Sequence, residues 1–197
     1  MSEPIHVLAI DPGSHAQACV RLRFDAPSTV TFLDFSLCEL SGVIPFVAKH
    51  DGWDLAILEV IEGYAFNPAR VKDMVLTARN EGRIIEQLYS AGLPPMTCSA
   101  GEARGHLGRS AQMSDKQVAI VVEDLVKGAP TTMRRAERQH VYDACLYGCY
   151  GLVKRGARLT LSSSAELALI TQRGADHAKA AAKGKRTKAR HGEDLVR

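Results

Sequence analysis

Residues 6–13 read HVLAIDPG, an apolar run that stops at an acidic residue followed by proline and glycine. The run predicts a short β-strand that ends at the acidic residue, because proline and glycine interrupt regular structure. Similar runs at 17–24 and 29–37, separated by the turn residues DAPS at 25–28, predict two more strands. Connections this short favour an antiparallel meander of three strands.

After this meander, the sequence alternates between predicted helices and predicted strands. The run DLAILEVI at 54–61 is typical of a strand buried on both faces, and it is followed directly by Glu62. Three glycines in 101–113 predict a loop or a frayed helix there. A short strand is predicted at 96–99, and helices are predicted at 43–49, 67–90, 114–127 and 132–155. Strands first and alternation afterwards predict an α/β protein with a mixed sheet, three antiparallel strands and then parallel ones, flanked by helices.

Composition narrows the class of protein. The chain has 197 residues, of which 46% are hydrophobic, so it can bury the core of one domain. No apolar run approaches the length of a membrane span, and no secretory signal begins the sequence. Five cysteines without a C-x-x-C pair favour a reducing compartment, and we expect a cytoplasmic protein with no membrane partner.

The net charge of +3 hides two opposed parts. Residues 1–170 carry 17 basic and 19 acidic side chains, a balance of −2, whereas residues 171–197 carry 8 basic and 3 acidic side chains, a balance of +5. The composition predicts a domain over 1–160, a short helix over 161–173 and a basic, disordered tail over 174–197. The tail either binds a polyanion or only keeps the chain soluble.

Three carboxylates lie at unusual places for charged groups. Asp11 and Glu62 end apolar runs, and Asp143 lies within an apolar helix whose small residues would allow close packing on a sheet. A buried carboxylate must be paired, protonated or bound to metal. Each alone is explained by a helix cap or a salt bridge. His140 shares a helix face with Asp143, so the sequence predicts that all four side chains converge.

Such a set of ligands points to a particular chemistry. Carboxylates with one imidazole favour Mg²⁺ or Mn²⁺ over zinc. Two such ions would turn the charge of three carboxylates from −3 to about +1, which attracts a phosphodiester. Two neighbouring ions can activate a water and stabilise the leaving oxygen, which is the chemistry of a nuclease.

Five motifs occur in the order found in one family. They are AIDPG at 9–13, VIEGYAF at 60–66, ARNEGRII at 78–85, SDKQV at 114–118 and HVYDACL at 140–146. Over residues 5–155 the chain resembles the RuvC-type Holliday junction resolvases, in a divergent or phage-type form. The resemblance implies the ribonuclease H-like fold and a metal-dependent endonuclease, usually a homodimer, that cleaves four-way junctions in branched DNA. No helicase partner can be named from the sequence.

The resemblance also implies roles for particular residues. Those matching catalytic positions of the family are Asp11, Glu62, His140, Asp143 and Lys116, and all except Lys116 would bind two Mg²⁺ or Mn²⁺ ions. Glu59, three residues before Glu62, is the competing choice. Glu62 is preferred here because the predicted strand ends beside it.

Further residues are candidates for DNA contact. Lys116 matches a lysine near the cleaved phosphate, and Arg104 lies near a second basic position of the family. Tyr64 or Phe66 is either an aromatic wedge or an ordinary core residue. Arg79 and Arg83 either touch phosphate or pair with nearby glutamates.

Three other functions are compatible with parts of this pattern. A less selective flap or fork nuclease would share the fold, and a junction-binding module would not cleave. An actin-like ATPase would need a second phosphate-binding Asp-Gly hairpin, which the sequence lacks.

Overall fold

The central feature of the computed structural model is a six-stranded sheet in the order β5-β4-β1-β2-β3-β6. The structure describes residues 3–61 and 71–193, with side chains as far as residue 182. The strands are β1 (Ile5–Pro12), β2 (Gln17–Asp25), β3 (Thr29–Cys38), β4 (Leu55–Glu59), β5 (Met96–Cys98) and β6 (Val126–Lys127). The helices are α1 (Val43–Ala48), α2 (Val71–Ser90), α3 (Ala100–Gly108), α4 (Asp115–Leu125), α5 (Arg135–Lys154) and α6 (Ser163–Glu193).

The pairing of the strands is the predicted mixture of directions. Strands β1, β2 and β3 pair antiparallel, while β4 pairs parallel with β1, and β5 pairs parallel with β4. The expected α/β sheet with three antiparallel strands followed by parallel strands is therefore confirmed. Strand β6 was not expected from the sequence, because its two residues follow α4 directly and pair only with the start of β3.

Helix α5 packs closely on one face of the sheet. A Cβ atom on Gly148 would lie 2.5 Å from Cδ1 of Leu22 and 3.2 Å from Cβ of Ala9, and one on Gly151 would lie 2.9 Å from Cδ1 of Ile57. The small residues of α5 therefore let its backbone approach the strands, as the sequence predicts. This approach fixes the position of any side chain that α5 points toward the ends of β1 and β4.

The opposite face of the sheet is covered by α1 and α2. Leu8 and Ile10 of β1 pack there with Phe46, Ile84 and Leu88, all of them buried. Residues 7–10 of β1 are completely buried. Since both faces of β1 are covered, this strand is the rigid centre on which the site is built.

Two predicted elements differ from the structure near the site. Strand β4 ends at Glu59, three residues before Glu62, so the assumption that Glu62 closes this strand is wrong. Residues 100–108, inside a segment predicted as loop or frayed helix, form the regular helix α3. A capping box explains it: Ser99 Oγ accepts from the Glu102 N–H at 3.2 Å, and the Glu102 carboxylate accepts from the Ser99 N–H at 2.9 Å.

The chain divides into two compact units, residues 1–161 and residues 162–197. The second unit contains α6, which begins near the start of the short helix expected at 161–173 and continues to Glu193. Alanine and lysine, which dominate its second half, are good helix formers. Among the described helices, none is both long and apolar enough to cross a membrane.

Candidate active site

Two carboxyl groups meet where β1 and β4 end. These strands are parallel neighbours, and Ile10 lies opposite Leu58 in their register, which brings the next residues, Asp11 and Glu59, to the same edge. The two side chains share a hydrogen bond, which requires one proton between two carboxyl groups. Burial, and then the negative charge of Asp11, raise the pKa of Glu59 to about 10. Glu59 therefore holds its proton at neutral pH.

A tight turn after β1 fixes Asp11. The Gly13 N–H donates to the Ala16 carbonyl at 3.0 Å, and a Cβ atom on Gly13 would lie only 2.3 Å from that oxygen. Asn80 of α2 donates from Nδ2 to the carbonyls of Gly13 and Ser14, at 3.1 and 3.3 Å. Residues of the motifs at 9–13 and 78–85 thus hydrogen-bond to each other and together fix the end of β1.

His140 approaches Asp11 from helix α5. Its Nδ1 lies 2.7 Å from Oδ2 of Asp11, and its side chain is half exposed. The hydrogen bond to Asp11 raises the pKa of His140 and outweighs the opposing effect of burial. The contact with Asp11 therefore favours the protonated form of His140, in which Nδ1–H donates to Asp11.

Asp143 lies one helical turn further along the same face of α5. It is 7% exposed. Its Oδ1 accepts from Nη2 of Arg104 at 3.0 Å, and its Oδ2 accepts from Nε2 of Gln139 at 2.8 Å. Burial and the negative charge of Asp11 raise the pKa of Asp143, while Arg104 and Gln139 act in the opposite direction. The structure thus brings together Asp11, His140 and Asp143, as the sequence predicts.

Arg104 of α3 lies inside the carboxylate cluster. Burial by itself would lower its pKa, but the negative charge of Asp143, followed by Tyr147 and Glu59, raises it. Its Nε is buried and has no hydrogen-bond partner among the described residues. The capping box that starts α3 therefore places a guanidinium among the acids, with one donor still unused.

Tyr147 is a member of the site that the sequence analysis missed. It is 1% exposed and its hydroxyl hydrogen-bonds to Glu59. Burial raises the pKa of Tyr147, and the surrounding carboxylates raise it further. A usable signal was its position four residues after Asp143, on the same face of α5.

The chemistry of these donors fits a hard divalent cation. Three carboxyl groups and one imidazole are the ligand types that Mg²⁺ and Mn²⁺ accept, and burial together with the negative charge of Asp11 raises the pKa of Glu59 and Asp143. In the described parts of the chain, no three acidic, histidine or cysteine side chains already stand in ligand geometry. The reason lies in the contacts above: a shared proton, His140, Gln139 and Arg104 occupy the carboxylate oxygens that a cation would use.

The other predicted site residues are placed as follows. Glu62, Tyr64 and Phe66 lie outside the described residues. Lys116 is exposed on α4 and borders a hollow beside Gln139, so it lies near the acids without joining them. Arg79 and Arg83 are both exposed on α2. Glu81, one of the glutamates considered as their partner, is buried and accepts from the Ile61 N–H at 3.1 Å.

Comparison with known proteins relates this geometry to other folds. No protein-family model matches the sequence, and no curated protein matches it in a sequence search. Among solved structures, the chain is similar to Thermus thermophilus RuvC in complex with a Holliday junction substrate. The TM-score is 0.61 at 14% identity, over 77% of this chain and 96% of that one. A second Thermus thermophilus RuvC structure has a TM-score of 0.57 at 15% identity, over 78% of this chain and 98% of that one. The chain has the ribonuclease H-like fold of the RuvC-type Holliday junction resolvases.

Proposed function

We propose that the protein is a metal-dependent endonuclease that cleaves four-way DNA junctions. The observation that carries this proposal is the meeting of Asp11, Glu59 and Asp143 where β1 and β4 end, with His140 bonded to Asp11. A chain that only bound DNA would gain nothing from three acids at a surface facing phosphate. The RuvC fold, seen elsewhere in complex with a Holliday junction, directs the choice of substrate.

Glu59, rather than Glu62, is proposed as the glutamate of the catalytic set. Glu59 is the last residue of β4 and shares a hydrogen bond with Asp11. The hydroxyl of Tyr147 contacts the same carboxyl group, so its orientation is fixed from a second side. The Glu62 assignment stays a prediction, which a comparison of Glu62→Gln with Glu59→Gln tests.

The cation ligands in this proposal are Asp11, Glu59, Asp143 and His140, and two Mg²⁺ or Mn²⁺ ions are expected. When bound, the ions supply an activated water and stabilise the leaving 3′ oxygen. The carboxylates would first become free: Glu59 would release its proton, His140 would leave Asp11 and release its own proton to solvent so that the neutral ring can bind a cation, and Arg104 would leave Asp143. Arg104 is then free to donate to a phosphate oxygen, because its guanidinium has five N–H donors. Tyr147 keeps Glu59 oriented through these changes.

Other residues are proposed to hold the DNA. Lys116 approaches the cleaved phosphate, and Arg79 and Arg83 contact the backbone from α2. Tyr64 or Phe66 enters the junction. A homodimer would present two such sites to a symmetric junction. We also propose a cytoplasmic location and a sequence-independent contribution of the basic tail to binding.

One experiment tests the central proposal. A labelled four-way junction and a linear duplex of the same sequence are incubated with Mg²⁺ and either wild type or Asp11→Asn. We expect wild type to cut the junction and the variant to bind but not cut. A wild type that binds and never cuts, or a variant that cuts equally well, would refute the catalytic assignment. Truncation after Gly174 tests the tail, since an unchanged affinity and salt dependence would remove its role in DNA binding.

A further inference from the structure

We infer that the hollow between α4 and α5 holds a phosphate of the DNA backbone adjacent to the one that is cut, bound by Arg135 and Arg138. This inference rests on the proposed function and adds a second anion site to it. The hollow has a volume of about 270 Å³. Its wall on the α5 side consists of side chains three to four residues apart, which share one helix face: Arg135, Arg138, Gln139 and Tyr142.

The charge of the hollow is opposite to that of the neighbouring acids. Lys116 from α4 adds a third positive charge to the two arginines, and Asp115 is the carboxylate among the lining residues. The lining therefore carries +2 if all four are ionised. The positive hollow would attract a phosphate, while the neighbouring acids would attract cations.

The arginines remain available to an anion. The Arg135 side chain is 79% exposed, and its Nη2 lies 3.7 Å from Oδ2 of Asp115, so this solvent-exposed pair is weakened by water and salt. Arg138 uses one N–H to donate to the Thr131 carbonyl at 3.2 Å, and its guanidinium lies 5.8 Å from the centre of the Tyr142 ring. These two contacts orient Arg138 and leave most of its donors unused.

The hollow lies next to the acidic cluster. Gln139 both lines the hollow and donates to Asp143 at 2.8 Å, so one side chain separates the hollow from the acidic cluster. A DNA strand carries a phosphate at every nucleotide, so a strand with one phosphate at the acids has another close by.

The test measures how salt affects DNA binding. Anisotropy of a labelled four-way junction is titrated at several NaCl concentrations with EDTA, for wild type and for Arg135→Ala/Arg138→Ala. Loss of one phosphate contact should lower the slope of log K against log salt by about one unit. We expect roughly tenfold weaker binding near 0.1 M salt, on a linear duplex as well as on the junction. Arg135→Lys/Arg138→Lys keeps the charge and should restore most of the slope.

A matched control uses two arginines at and just beyond the C-terminal end of α5. Arg155 and Arg158 are exposed and line a separate hollow with Ile5, at the end of β1 opposite Asp11. Arg155→Ala/Arg158→Ala removes the same charge and should leave the slope closer to that of wild type. Asp115→Asn should strengthen binding, because it removes the negative charge from the hollow.

The outcomes separate this inference from the proposed function. If wild type cuts junctions with Mg²⁺, but the two double-alanine variants change the salt slope equally or not at all, phosphate binding in the hollow is refuted and the nuclease proposal stands. If wild type never cuts, but the salt slope is lower only for Arg135→Ala/Arg138→Ala, the proposed nuclease activity is refuted and the anion site is supported. A wild type that binds no DNA overturns both.

Discussion

Replacing Glu59 by glutamine should make the metal-free protein more stable at neutral pH. The usual pKa of a glutamate is about 4.5, and burial beside Asp11 raises that of Glu59 to about 10. The folded chain therefore holds a proton that the unfolded chain releases, so rising pH destabilises the fold across this window. A glutamine amide has the shape of the protonated carboxyl and can also donate to Asp11 and accept from Tyr147, but it never ionises.

The magnitude follows from the size of the window. Between pH 4.5 and pH 7 the free energy of unfolding of wild type falls by about 1.4 kcal/mol for each pH unit, or about 3 kcal/mol in all, whereas that of Glu59→Gln does not fall for this reason. This is an upper value, because Glu59 is only partly buried and keeps some contact with solvent. For a chain of this length, it corresponds to a rise in Tm of about 6–12 °C. The difference should shrink toward zero near pH 4.5.

A divalent cation should offset most of this difference. Bound Mn²⁺ stabilises the folded chain by about 2.7 kcal/mol at a hundred times its Kd, and it needs the ionised carboxylate. Urea unfolding followed by circular dichroism at pH 5, 7 and 8.5, with EDTA or with Mn²⁺, measures both effects. Glu59→Gln should be more stable than wild type in EDTA and gain less from Mn²⁺.

Glu62→Gln is the matched control for this prediction. It should behave as wild type in both buffers if Glu59 is the ligand. The reasoning is refuted if Glu59→Gln gains no stability at pH 7 in EDTA. It is refuted equally if Glu62→Gln abolishes the response to Mn²⁺ while Glu59→Gln retains it.

Three further substitutions test other parts of the site. Arg104→Gln removes the cation paired with Asp143, so we expect the free energy of unfolding in EDTA to fall by about 1–3 kcal/mol. Mn²⁺ should then stabilise this variant more than wild type, and an unchanged response to Mn²⁺ would contradict the pairing. Gly148→Ala should destabilise the fold by about 1–3 kcal/mol, because the added Cβ would meet Leu22 and Ala9. The control Gly82→Ala, on the exposed side of α2 with no atom within 4 Å of the added Cβ, should be neutral or stabilising. Equal Tm values for the two variants would argue against close packing of α5. Ser99→Ala should lower the free energy of unfolding by about 1 kcal/mol through loss of the helix cap, and it should reduce junction cleavage because Arg104 is held less firmly. A lowered Tm with cleavage at the wild-type rate would show that the cap does not act on the site.

The sequence predicted the framework well where local patterns determine structure. The meander, the buried fourth strand and the close approach of α5 follow from apolar periodicity and small residues, which act within one element. Asp11, His140 and Asp143 could be found because each interrupts such a pattern. Their convergence then needed only the parallel pairing of β1 with β4 and the packing of α5 on both.

The errors arose where a choice depends on contacts between elements. The apolar run at 54–61 does not reveal that the strand ends at Glu59, because its end is set by pairing with Cys98 of β5, and the next amide, of Val60, donates to the Cys98 carbonyl at 2.8 Å. The glycines in 101–113 favour a loop or a frayed helix, but the S-x-x-E capping box at 99–102 starts the regular helix α3. Arg104 therefore appeared as a DNA contact, and its bond to Asp143 across 39 residues had no local signal.

The short outer strands of the sheet limit how two copies of the chain can associate. In the described part of the chain, one edge is β5 with three residues and the other is β6 with two. Strand β6 pairs only with Val30 and Thr31 of β3, so no strand of the described chain pairs with residues 32–38 along that side of β3. A second chain that extends the sheet would therefore pair with β3, two strands away from β1 and the acids at its end.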